Sequence, residues 1–202
     1  MGQFALPLTR RRADEPARIV VGNANRAAVD ALAEPSAWPF GAAIIAGPPR
    51  SGKSLLARWA EGNGIEVVDN ADAAPETELF HRWNRAQESR QALLLVTNRD
   101  PWAISLPDLR SRLGAALHLT IGVPDDGMLE ALIEAHAEAI GLALGEGATT
   151  YLVPRLERSF AGVEAIVTAI DRLSLERKVP PTLAVWRDAL EAVQGAEQPR
   201  LL

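Results

Sequence analysis

The sequence predicts an α/β domain built on a parallel sheet, followed by a small all-helical part, and three observations carry that expectation. Short aliphatic runs at residues 42–46, 65–69, 92–96 and 117–121 alternate with segments of helical period. A glycine-rich stretch, Gly47-Pro48-Pro49-Arg50-Ser51-Gly52-Lys53-Ser54, follows the first of these runs directly and leads into a helix. Beyond Pro124 the apolar spacing is that of helices only.

The elements follow in chain order. Residues 1–18 read as a tail, Gln3-Phe4-Ala5-Leu6-Pro7-Leu8 and Thr9-Arg10-Arg11-Arg12 leading to Ala13-Asp14-Glu15-Pro16, in which prolines and mixed charge argue against regular structure. A short helix over 25–32 is ended by Glu34-Pro35 and Trp38-Pro39. The helix over 53–62 turns Leu55, Leu56, Trp59 and Ala60 inward, Glu66-Val67-Val68 centres the second strand, and helices cover 76–90 and 107–113. In the C-terminal part, Asp125 or Asp126 caps a helix whose Met128, Leu129, Leu132, Ile133, His136 and Ile140 share one face. Further helices are expected over 148–157, after Ser159 with Val163, Ile166, Val167, Ile170 and Leu173 as its stripe, and from Thr182 with Leu183, Trp186 and Leu190. The expected organisation is a tail at 1–18, a nucleotide-binding α/β domain at 19–123 and a helical lid at 124–202.

Composition narrows the function classes. A hydrophobic fraction of 48% supports a buried core, and with aromatics at 5% that core is aliphatic. The absence of cysteine excludes a disulfide framework and a thiolate metal site. His81, His118 and His136 lie far apart and show no ligand spacing. A net charge of −5 argues against a protein that coats nucleic acid with its whole surface. No window reaches the length of a membrane span, and the N-terminus lacks the apolar core of a signal peptide, so the cytoplasm is the expected compartment.

The stretch at 47–54 matches G-x-x-x-x-G-K-[ST] in the strand-to-helix context that the chemistry requires. Backbone N–H groups of such a loop surround a β-phosphate, and the following helix offers its positive end. Lys53 would bridge the β- and γ-phosphates of ATP, and Ser54 would ligate Mg²⁺ together with Asp69 at the end of the next strand. Where hydrolysing enzymes of this type commonly carry a glutamate, the residue after Asp69 is Asn70, an amide that accepts no proton; Asp72 is the nearest carboxylate that could compensate. Slow hydrolysis by this chain alone is the expectation. Asn98, in Val96-Thr97-Asn98-Arg99 at the end of the third strand, is placed to face a γ-phosphate or position water. Arg110 and Arg112, near the end of the next helix, are candidates for an arginine finger offered to a neighbour's nucleotide; a surface ion pair is the ordinary role of such a residue.

This order of motifs resembles the AAA+ ATPases, and in particular the Hda branch of the DnaA family, regulators of bacterial replication initiation. Ile19-Val20-Val21-Gly22-Asn23-Ala24-Asn25 is similar to the segment beside the adenine in DnaA, which implies contacts from Val21 and Gly22. Residues 47–54 look like Walker A, Val67-Val68-Asp69-Asn70 like Walker B with the Asp-Asn pair that Hda carries, and Thr97-Asn98-Arg99-Asp100-Pro101 like sensor 1. Leu106-Pro107-Asp108-Leu109-Arg110-Ser111-Arg112-Leu113 resembles the run carrying the arginine finger, which falls on Arg112. Gln3-Phe4-Ala5-Leu6-Pro7-Leu8 looks like the Hda peptide that binds the β sliding clamp of DNA polymerase III: Gln3 is the polar anchor, Leu6 and Leu8 the apolar plugs, and Pro7 lowers the cost of ordering.

The chain also departs from that pattern. Sixteen steps from Lys53 to Asp69 leave no room for the strand and helix that normally intervene, which predicts a sheet reduced to four strands. The sensor 2 arginine would fall near Gly162, with Arg158 one turn earlier as a substitute. After the lid no helix-turn-helix domain follows, so origin recognition is not expected. The resemblance implies a regulator that binds ADP or ATP with Mg²⁺, attaches to the DNA-loaded clamp, meets DNA only through it, and stimulates hydrolysis of DnaA-bound ATP. A homodimer is left open. The alternatives are a stand-alone P-loop ATPase or small-molecule kinase, and a clamp-binding scaffold insensitive to nucleotide.

Overall fold

The computed structural model describes residues 5–7 and 18–197, which form two units. The described residues up to Asn23 group with those from Val123 onward, and Ala24–Gly122 stand by themselves.

In the first unit, strand β1 (Ala5–Pro7) pairs antiparallel with β2 (Arg18–Val20), Leu6 opposite Ile19. The tail therefore contains a piece of regular structure where its prolines argued for none. Pro7 is tolerated because it ends a three-residue strand of a two-stranded pair, where a missing N–H is least costly. Gln3, Phe4 and Leu8 lie outside the described residues.

The second unit opens with helix α1 (Arg26–Ala33) and is built around β3 (Ala42–Ala46), α2 (Lys53–Gly62), β4 (Glu66–Val68), α3 (Glu76–Ser89), β5 (Leu93–Thr97), α4 (Pro107–Gly114) and β6 (Leu117–Thr120). The sheet is parallel, in the order β4-β5-β3-β6. The four strands expected from the short spacing between Lys53 and Asp69 are the four observed. Strands β3 and β5 lie inside the sheet and are buried along their whole length, which is why both read as unbroken aliphatic runs. Ile45 aligns with Val96 on one side and Leu119 on the other. Ile44 and Leu95 turn to one face, where they join a core with Leu79, Trp83, Leu109 and Leu113 from α3 and α4. Residues 43, 45, 94 and 96 take the opposite face by the period of the strand.

Strand β3 is followed in sequence by strands on one side and finally by β6 on its other side. The carboxyl end of β3 is thus the point at which the strand order reverses, where open α/β sheets bind ligands.

Among the described residues, four α-helices complete the first unit: α5 (Asp126–Ile140), α6 (Ala148–Leu152), α7 (Phe160–Arg177) and α8 (Leu183–Glu197). Asp125 is the cap of α5, its carboxylate accepting from Met128 N at 2.8 Å, and Ser159 caps α7 by accepting from Gly162 N at 3.0 Å. The helix expected over 148–157 breaks after Leu152 into a 3₁₀ turn, Val153–Arg155, because Pro154 has no N–H to donate to an α-helical ladder. Ile140 and Leu183, expected on inward faces at the ends of their helices, are exposed.

The sequence placed residues from 19 onward with the α/β domain; in the structure Ile19–Gly22 groups with the helical unit. Strand β2 packs on α5, and a Cβ at Gly22 would lie 2.8 Å from Met128 Cγ, so glycine is what lets this segment approach the helix. Asn23 pins the connection by donating to Val123 O and accepting from Asp125 N, each at 3.0 Å. No helix among the described residues is long and apolar enough to cross a membrane.

Candidate nucleotide site

The site is built at the carboxyl end of β3. Gly47 closes the strand against Ile121, where an added Cβ would meet Ile121 Cβ at 2.9 Å and Ser51 Oγ at 3.3 Å. Any side chain here would lever the loop off the sheet. Gly52 has φ +81°, a conformation costly for other residues, and its carbonyl accepts from Leu55 N and Leu56 N at 3.0 Å to start α2. Arg50 also sits at positive φ.

Lys53 occupies the first turn of α2 and is only 6% exposed. Its ammonium donates to Gly47 O and Pro48 O, both at 2.8 Å, so the loop wraps the charge that it would present to phosphate. Burial holds the Lys53 pKa below the ordinary lysine value, and the carboxylates of Asp69 and Asp72 oppose that shift. Ser51 Oγ is buried and makes no hydrogen bond within the protein. Ser54 is exposed beside it on the helix, and Pro48 and Pro49 are exposed at the loop's crest. A buried cation, an unpartnered hydroxyl, a helix N-terminus and a nearby carboxylate form a donor set that fits a nucleotide polyphosphate. Ser54 and Asp69 are the residues that would hold a Mg²⁺ bound with it; among the described residues no cluster of three or more acidic or histidine side chains could hold a metal unaided.

The ends of β4 and β5 meet through a polar network. Asn70, at φ +51°, accepts from Asn98 Nδ2 at 2.9 Å through its side-chain oxygen. The Asp72 carboxylate accepts from Asn98 N at 3.1 Å and pairs with Arg99 Nε at 3.4 Å. Thr97, buried at the end of β5, accepts from Arg99 N at 3.0 Å and closes the same turn. Asp69 accepts from Asn70 N at 2.9 Å. Asp72 is therefore occupied in holding the Asn98 turn, a part its sequence position alone did not reveal.

Of the residues singled out from the sequence, Gly47–Ser54, Asp69, Asn70 and Asn98 come together in the α/β unit. Val21, Gly22 and Arg158 belong to the helical unit, where Arg158 pairs with Asp126 at 2.8 Å. Gly162 stands at the third position of α7, where an added Cβ would lie 3.0 Å from Ser159 Oγ and 3.3 Å from Glu157 O. Arg112 lies against α3: its Nη1 donates to Asn84 Oδ1 and its guanidinium sits 4.4 Å from the Phe80 ring centroid. The opposite end of α4 is fixed by Glu76, whose carboxylate accepts from Ser105 N at 2.8 Å and Leu106 N at 2.6 Å.

Those two backbone hydrogen bonds, Ser105 first, hold the Glu76 carboxyl below its ordinary pKa of 4.5. A depressed carboxylate pKa contributes stability that is complete above the unfolded-chain value and is lost as pH falls through the folded one. Glu76→Gln should therefore lower the melting temperature at neutral pH, and its deficit against the wild type should shrink as pH drops below about 4.5. A deficit independent of pH would show that Glu76 acts through packing alone.

No protein-family model matches the chain. The chromosomal replication initiator protein DnaA of Symbiobacterium thermophilum is 25% identical over 138 residues, which span 67% of this chain and 30% of that protein. Domain III of the Thermotoga maritima replication initiation protein DnaA superposes with a TM-score of 0.71 at 16% identity, covering 87% of this chain and 94% of that one. AMPPCP-bound DnaA from Aquifex aeolicus gives 0.58 at 19% identity over 78% of this chain and 65% of its own. The RuvB Holliday junction branch migration motor of Thermotoga maritima also gives 0.58, at 18% identity over 84% and 68%.

A four-stranded parallel sheet, a phosphate loop at its switch point and a helical C-terminal part make this fold that of a AAA+ P-loop domain. Within that class the chain is similar in sequence to the DnaA of Symbiobacterium thermophilum, of which it spans under a third, and in fold to domain III of the Thermotoga maritima DnaA.

Proposed function

We propose that the chain is a DnaA-related AAA+ regulator of bacterial chromosome replication initiation, of the Hda kind. It binds ADP or ATP with Mg²⁺ at residues 47–54, Asp69 and Asn98. It attaches to the β sliding clamp through residues 3–8, reaches DNA only through the clamp, and stimulates hydrolysis of DnaA-bound ATP by means of Arg112. Val21, Gly22 and Arg158 complete the nucleotide contacts in this reading, and the cytoplasm is its place of action.

The observation that carries the reading is the pairing of an intact phosphate loop with Asn70 where a catalytic base belongs. Asn70 is bonded to Asn98; of the carboxylates beside it, Asp69 is the one assigned to Mg²⁺ in this reading, and Asp72 is engaged by Asn98 N and Arg99. A site that binds nucleotide without a general base beside it suits a docking state better than a turnover cycle. The catalysis that matters is then the partner's.

The test is an ATP-hydrolysis assay with DnaA, DNA-loaded clamp and this chain, each omitted in turn. All three are expected to be required. Arg112→Ala should keep nucleotide binding and lose stimulation by roughly 10³-fold or more, the scale of a finger supplied in trans. Deleting residues 1–8 should abolish clamp binding, with circular dichroism checking the fold because β1 goes with the deletion. Hydrolysis by this chain alone at an ordinary enzymatic rate would instead favour a self-sufficient ATPase.

A further inference from the structure

An exposed arginine at the end of a helix ordinarily extends into water, because holding a long side chain in one geometry costs rotamer entropy. Arg112 does the opposite. It is half-buried in the last turn of α4 and turned back onto α3, 28 residues away in sequence. Two different properties of the guanidinium are engaged at once. One N–H of its fork donates to the Asn84 side-chain oxygen, and its planar cation lies over the face of Phe80.

The platform is rigid. Phe80 is partly buried against the core that includes Leu79 and Leu109. At the other end of α4 the Glu76 carboxylate holds both Ser105 N and Leu106 N. Swinging the whole helix away would break these bonds, so Arg112 leaves α3 most readily by rotation of its own side chain. Asn84 borders an open groove along α3 with His81 and Arg85, so the contact that restrains Arg112 lies within reach of an approaching surface.

We propose that Asn84 and Phe80 park Arg112 against its own domain, and that delivery of this arginine to a neighbouring nucleotide requires its release from the pair. The inference rests on the reading of Arg112 as a finger given above. A parked finger reduces the apparent potency of the protein by the fraction of molecules that are released. Asn84 and Phe80 are positioning residues in this scheme and touch no substrate.

The consequence is a gain of function from removing a contact. Asn84→Ala should lower the concentration of this protein needed for half-maximal stimulation of DnaA-bound ATP hydrolysis on DNA-loaded clamp, by about tenfold or more for one hydrogen bond to a charged group. Asn84→Asp, which offers the guanidinium a full charge, should raise that concentration. Side-chain NMR of Arg112 Nε–H supplies a readout that needs no partner: rotation should be restrained in the wild type and released in Asn84→Ala, with thermal melts confirming that both are folded. An Arg112 side chain already freely rotating in the wild type overturns the proposal. So does an unchanged or raised half-maximal concentration in folded Asn84→Ala while Arg112→Ala is inactive. Full stimulation by Arg112→Ala instead overturns the finger reading itself, so the two failures are distinguishable.

Discussion

Replacing Lys53 by alanine is expected to weaken nucleotide binding by about two orders of magnitude or more while leaving the α/β unit folded. The side chain is buried, and its ammonium is wrapped by Gly47 O and Pro48 O. Phosphate oxygens would replace or join these acceptors. Hydrogen bonds to charged groups contribute about 1.5–3 kcal/mol each, so losing two of them costs roughly 10²–10⁴ in affinity. Stability should change little, because the substitution also relieves the burial of a charge that only partly offsets its desolvation. Calorimetric titration with Mg·ADP and Mg·ATP checks this. Wild-type affinity in the variant would sink the assignment of residues 47–54 as the phosphate site.

The second large effect is on stability. Ile45→Ala should cost about 2–5 kcal/mol, the range for truncating a fully buried aliphatic side chain whose surroundings cannot collapse. Ile45 has no exposed surface and sits on the strand between β5 and β6, aligned with Val96 and Leu119. Strands held on both sides have little freedom to close the gap. Denaturant unfolding should show a lower midpoint with unchanged slope. Since β3 runs straight into Gly47, the variant should also bind nucleotide less tightly; a loss of stability below about 1 kcal/mol would mean that the sheet closes over the cavity.

Local features of the fold were legible because each is written in a few neighbouring residues. Strands β3 and β5 announce themselves as aliphatic runs because both of their faces are buried. The start of α2 is announced by Gly52-Lys53, and the reduction to four strands follows from the spacing between Lys53 and Asp69. What failed was also local in cause. Pro154 shortened α6, and a three-residue pairing such as β1 with β2 has too little period to be seen.

The phosphate loop with which the candidate site begins was therefore determined by sequence alone: eight contiguous residues carry the glycines, the lysine and the hydroxyl that the chemistry needs. Tertiary structure alone decided the company that these residues keep. It brought Asn98 onto Asn70 and Asp72, gave Ile19–Gly22 to the helical unit through the fit of Gly22 on Met128, and laid Arg112 on Phe80 and Asn84. These are single contacts between residues distant in the chain. They depend on where whole elements pack, and no periodicity or spacing in one sequence encodes that.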